Sequence, residues 1–188
     1  MRSLRNRDSL TAMICCALLT AVGVVLKIFV TFNITLGAVI INRLGVHLLV
    51  IYLAAILFGP AYGAITGALV DFLSSVLAPV GAYNPCYTLT LAAAGFLIWL
   101  FYQKVFARVP RIFWRVLLTV AAVQILFIWP INTLWTVVFY GAQKGFGGLL
   151  LSRASSLLFY VPVFTLALAV LVPILEKELR KQSVRRAD

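Results

Sequence analysis

A single aspartate stands inside the apolar stretch FGPAYGAITGALVDFLSS, residues 58–75. Glycines recur at 59, 63 and 67, and Asp71 continues the four-residue step, with Ser75 one step further. On a helix, positions four apart drift by only about 40°, so Gly63, Gly67 and Asp71 share a face that lets a second backbone come close. A carboxylate at bilayer depth costs at least about 2.5–3.5 kcal/mol on insertion scales and must face protein, water or ligand. Two roles are open for Asp71: a paired packing residue, or a ligand group at the base of a cavity.

Other polar residues stand out for the same reason. Arg153, Ser156 and Tyr160 fall at i, i+3 and i+7, one polar face on an otherwise apolar helix. Arg153 is able to fork onto a carboxylate in two parallel hydrogen bonds, or to snorkel to head groups. Asn132 and Trp135 lie three apart in PINTLW. Trp135 suits an interfacial aromatic belt as well as a ligand site, whereas an unpaired amide such as Asn132 is costly in lipid. Tyr83, Asn84 and Tyr87 flank Pro85 in the next loop, and Asn33 and Arg43 mark the two ends of a long first loop. Convergence of a few polar groups with aromatic faces is how small-molecule pockets are built.

Several chemistries are disfavoured. His47 is the one histidine, and no serine pairs with it at a recognisable spacing, which argues against a rhomboid-like protease. One intramembrane aspartate argues against a two-aspartate peptidase, and no paired acidic motif suggests a lipid phosphotransferase. There is no GxxxxGK[ST] phosphate loop, so ATP hydrolysis would need other subunits. Cys15, Cys16 and Cys86 contain no CxxC and read as packing residues. No metal or cofactor is expected.

The elements that position these residues follow from composition. Of 188 residues 63% are hydrophobic and 11% charged, against about 25% charged in soluble domains. The mean hydropathy is +1.07. The apolar residues come in blocks, and a helix crosses the bilayer core with about 20 of them. This reads as an all-α integral membrane protein, a single domain over 1–188. Its helices are expected at about 10–28, 45–58, 61–78, 86–105, 116–139 and 149–175. FGP makes a tight turn, and Pro130 is expected to kink the fifth helix. GFGG at 145–148 reads as the edge of a flexible lid.

The net charge of +11 would suggest nucleic acid in a soluble protein, but its distribution argues against that role. Twelve cations fall at the N-terminus, in the loop around 104–115 and at the C-terminus, whereas Lys27, Arg43, Lys144 and Arg153 lie in or near the opposite loops. That asymmetry is the positive-inside pattern; it puts both termini in the cytoplasm and sets basic clusters against anionic head groups of the lipid bilayer.

Together these features resemble a substrate-binding S component of an energy-coupling factor (ECF) vitamin transporter. The resemblance covers nearly the whole chain: the basic N-terminus, an AxxxA pair at Ala17 and Ala21, the long first loop, the block at 58–75, the GAYNP loop and the basic tail. NTLWTVVFYG followed by LLLSR is most similar to the folate-specific S components. After Arg153 the chain reads ASSLLFYVP, without the basic and amide residues expected one turn later.

The resemblance implies a six-helix subunit of a prokaryotic cell membrane, not itself an enzyme. It would capture folate or a related vitamin from outside and dock on a transmembrane coupling subunit and two ATPase subunits. Ala17 and Ala21 would meet the coupling subunit, and the outer loops would cap the ligand. Asp71 would then accept from the pterin N–H groups, Arg153 and Arg43 would receive the glutamate end, and Trp135, Tyr83 and Tyr87 would stack. Pantothenate, riboflavin or a queuosine precursor are alternative ligands, and a membrane-embedded enzyme is a remote alternative class.

Overall fold

The computed structural model describes residues 9–36, 39–79, 83–140 and 145–185. Helix α1 (Ser9–Phe29) leads into an antiparallel hairpin, β1 (Thr31–Leu36) and β2 (Val39–Gly45). Then come α2 (His47–Phe58), α3 (Pro60–Leu77), α4 (Pro85–Leu100), α5 (Ile112–Val123), α6 (Trp129–Tyr140) and α7 (Gly145–Arg185). A π-helical turn, Phe101–Val105, prolongs α4, and a second, Gln124–Ile128, joins α5 to α6 in one rod. The helices form an all-helical bundle, and the long first loop is the hairpin, in which Asn33 stands opposite Arg43. The side chains of those two residues lie outside what the structure describes.

Five helical segments are long and apolar enough to cross a membrane: Leu10–Phe29, Pro60–Leu77, Pro85–Val105, Ile112–Phe139 and Ser156–Leu179. Helix α2 is shorter, at 12 residues, or about 18 Å at 1.5 Å per residue. Short as it is, it lies at the centre of the bundle. Ile51, Tyr52, Ala54 and Ala55 are wholly buried, and α1, α3, α4 and α7 pack around it. A helix apolar on every face is one that its neighbours cover. Around this centre Val116, Val120 and Val123 of α5 and Phe164, Leu168 and Val172 of α7 complete the core at helical spacing. The outward surface carries Leu18, Leu126, Leu151 and Leu158, all more than 60% exposed. Apolar exposure on that scale suits acyl chains and not water.

Two local features shape the end of the bundle remote from the hairpin. Gly59 joins α2 to α3 with φ of 116°, a backbone state that other residues adopt only under strain. Arg115, grouped by sequence with the head-group cations of its loop, is turned inward instead. Its Nε and Nη2 donate to the Tyr102 carbonyl at 2.8 and 2.6 Å, and its guanidinium lies 3.9 Å from the Tyr102 ring centroid. It thereby satisfies a carbonyl of the π turn that ends α4. In the α5–α6 rod, Pro130 lacks an N–H and crowds the carbonyl of Leu126, and the ladder widens into the π stretch just before it. Residues Gly145–Gly148, expected as a lid edge, form the first turn of α7.

Helices α3 and α4 approach each other closely. A methyl group placed on Gly67 would lie 2.4 Å from the Leu91 carbonyl oxygen, and one on Gly63 would lie 2.9 Å from that of Gly95. The two helices run antiparallel, so the next step of the stripe, Asp71, meets the start of α4. Replacing Gly67 by Ala is expected to lower stability by about 1–3 kcal/mol through overpacking. Gly147→Ala, where no atom lies within 4 Å of the added methyl, should be neutral or slightly stabilising. Thermal unfolding of the detergent-solubilised variants checks both.

Candidate functional site

The site is organised by the first turns of α4. Asn84 caps that helix: its side chain accepts from the Cys86 N–H at 3.0 Å, and Pro85 occupies the first turn, where a missing N–H costs nothing. Cap and glycine contact together fix where Tyr87, Thr88 and Thr90 point.

Thr88 faces Asp71 and donates its hydroxyl to Oδ2 at 2.5 Å. Lys27, near the end of α1, donates its ammonium to the other oxygen, Oδ1. The Asp71 side chain is 8% exposed and that of Lys27 23%, so this ion pair is largely removed from solvent. The Thr88 proton is committed to Asp71, so Tyr83, 2.8 Å away, donates its hydroxyl to Thr88. Tyr83 also packs edge-on against Phe72, with ring centroids 5.8 Å apart. Ser74 and Ser75 turn their hydroxyls onto the main-chain carbonyl of Asp71, at 2.9 and 2.8 Å.

On the other side of α4, the Trp135 indole N–H donates to Thr90 at 3.0 Å, and Thr90 donates to the Cys86 carbonyl. Thr136 donates to the Asn132 carbonyl, which leaves Tyr87 to donate to Thr136 at 3.0 Å. Arg153 of α7 directs Nη1 to that same carbonyl at 3.2 Å and lies in electrostatic reach of the Tyr87 hydroxyl. Its Nε and the Asn132 side-chain oxygen are buried with no hydrogen-bond partner. Further along α7, Tyr160 accepts the Gly45 N–H at 2.9 Å and ties the hairpin to the bundle.

The fold therefore gathers Asp71, Tyr83, Tyr87, Asn132, Trp135 and Arg153 around one end of α4. Arg153 does not fork onto Asp71; it rests against α6, and among the described residues no carboxylate contacts it. Asn84 spends its side-chain oxygen on the helix cap. Ala17 and Ala21 lie apart from the cluster, exposed on α1. Residue reading missed Lys27 and the three threonines. A signal existed for Lys27, because a lone acid in an apolar setting requires a cation within reach. None existed for Thr88, Thr90 or Thr136, since helical threonines commonly satisfy themselves on the preceding turn.

Lipid-exposed helices around a short buried one, with a polar cluster at one end, define a multi-pass membrane protein. The sequence model of the ECF transporter substrate-specific component matches residues 11–180, and the chain belongs to that family. It is accordingly a transporter subunit and not an enzyme. It is 29% identical over 123 residues to the folate transporter FolT of Clostridium novyi (strain NT), spanning 61% of this chain and 69% of that protein. Its fold is that of a FolT solved with folic acid bound, with a TM-score of 0.69 and 23% identity, covering 84% of this chain and 89% of the other.

The Trp135–Thr90 contact links α6 to α4 and should be energetically real. Trp135→Phe and Thr90→Val, combined in a double-mutant cycle, are expected to show a coupling of about 0.5–1.5 kcal/mol in chemical unfolding.

Proposed function

We propose that this chain is the vitamin-capturing subunit of an ECF importer and that its vitamin is folate. The observation that carries the reading is Arg153. Its guanidinium is half-buried, its Nε N–H is unpaired and no described carboxylate answers it. A buried cation of this kind calls for an anionic partner, and arginine binds carboxylates through two parallel hydrogen bonds. The glutamate end of folate brings two carboxylates. Similarity to a folate transporter supports the same ligand.

In this reading Trp135, Tyr87 and Tyr83 offer faces to the flat pterin and the aryl linker. Asp71 accepts from the pterin N–H groups; a carboxylate has about four acceptor sites, of which Lys27 and Thr88 use two. Asn132 contributes its unpaired side-chain oxygen. Arg43 and Asn33 lie on the hairpin near the same end and complete the proposed set.

The hairpin end faces the exterior and both termini lie in the cytoplasm, in keeping with the excess of basic residues in the loops at the opposite end. The exposed small face at Ala17 and Ala21 meets the transmembrane coupling subunit, and two ATPase subunits supply the energy. The setting is the prokaryotic cell membrane.

Folate added to the purified protein should quench tryptophan emission saturably. Arg153→Gln and Asp71→Asn are each expected to weaken the titrated affinity by more than about tenfold, or about 1.4 kcal/mol. Binding of riboflavin or pantothenate, with none of folate, would overturn the choice of vitamin. Ala17→Trp should leave binding unchanged while abolishing uptake in vesicles that contain the full transporter. Normal uptake by that variant would dismiss the docking face.

A further inference from the structure

The charge on each side of the cluster is unequal. Of the five acidic residues in the chain, Asp8 and Asp188 lie near the termini and Glu176 and Glu178 near the end of α7. Asp71 is thus the one acid among the residues that build the cluster. Left alone it would repel an anion approaching Arg153 and attract a cation. It is not alone: Lys27 reaches across from α1 to one oxygen, and the pair is mostly shielded from solvent, where charges act over longer distances than in water. Thr88 occupies the other oxygen but brings no charge. Asp71 and Lys27 cancel, and among the described side chains of the cluster Arg153 is left without a countercharge.

We propose that Lys27 is a specificity-determining residue of the ligand site: by cancelling Asp71 it leaves the site with net positive charge, which selects an anionic ligand over an uncharged one of the same chemical family. Lys27 does this from α1, without being required to touch the ligand. The inference rests on the polar cluster at the end of α4 being the ligand site, but not on the ligand being folate. It accounts for an acid and a base placed together in a site meant for an anion. The carboxylate supplies hydrogen-bond acceptors, and the lysine removes its electrostatic cost.

The test is a ratio. Wild-type protein, Lys27→Met, Lys27→Arg and the double variant Lys27→Met/Asp71→Asn are purified and titrated with two ligand pairs. Each pair has an anionic and an uncharged member: folate with 6-hydroxymethylpterin, and pantothenate with pantothenol. Wild type should prefer the anionic member of the pair it binds. Lys27→Met should reduce that preference severalfold, because the uncancelled Asp71 charge acts on the anion through a low-dielectric interior. Lys27→Arg should keep it. The double variant should recover it, because the charge is again balanced, even though both members bind more weakly for want of the Asp71 acceptor.

A merely structural lysine would weaken both members equally and leave the ratio unchanged, which overturns the proposal. So does a wild-type protein that prefers the uncharged member or binds neither pair. Should wild type take pantothenate in place of folate, the folate reading falls, while the effect of Lys27 is still read in the second pair.

Discussion

The close contact between α3 and α4 is the constraint on which the site depends. Two glycines on α3 lie so near α4 carbonyls that neither tolerates a side chain without movement. This intimacy sets the helices in antiparallel register and brings Thr88 within 2.5 Å of Asp71. A wider separation would leave one carboxylate oxygen of Asp71 without its hydrogen bond in a low-dielectric interior, where a buried charge needs both a countercharge and satisfied lone pairs. The small-residue stripe and the acid that ends it are therefore one device: the first permits the approach that the second requires.

From that contact the remaining geometry follows outward. Asn84 and Pro85 start α4 at a defined residue, so Tyr87 and Thr90 reach Thr136 and Trp135 on α6. Helix α6 in turn offers the Asn132 carbonyl to Arg153 on α7. Four helices are thereby tied to one another by hydrogen bonds at one end of the bundle, and Lys27 adds α1 through Asp71. Toward the other end the core is largely apolar, with α2 at its centre. Such a division suits a binding subunit: a rigid apolar scaffold holds a polar cluster whose hydrogen-bonding capacity is not exhausted. The unmatched Nε of Arg153 and Oδ1 of Asn132 are the clearest signs of that reserve.

Much of this was legible in the residues because the bilayer is an unforgiving solvent. Runs of apolar residues bounded by charges announce helices, since in lipid every backbone group must be satisfied within its own segment. For the same reason Asp71, Asn132 and Arg153 could be singled out. What was not legible concerns partners. Arg153 and Asp71 have opposite charges, and their pairing is a natural expectation from residue types. The fold instead gives Asp71 to Lys27, 44 positions away in sequence, and turns Arg153 to a main-chain carbonyl. Nor does residue type distinguish Arg115, buried over Tyr102, from the exposed Arg108 and Arg111 nearby.

By itself, the amino-acid order determined an all-helical membrane bundle, the short list of polar residues that needed partners, and the family likeness carried by its small-residue and aromatic blocks. These follow from hydropathy, helical spacing and the cost of burying polar atoms, all of which act within a segment. The tertiary structure alone decided that the first loop is a paired hairpin, that α2 is the buried centre, and that Lys27 answers Asp71 while Arg153 has no countercharge among the described residues. Those outcomes depend on which helix faces lie against each other, and the distances between faces are set by packing across the bundle, to which no local pattern has access.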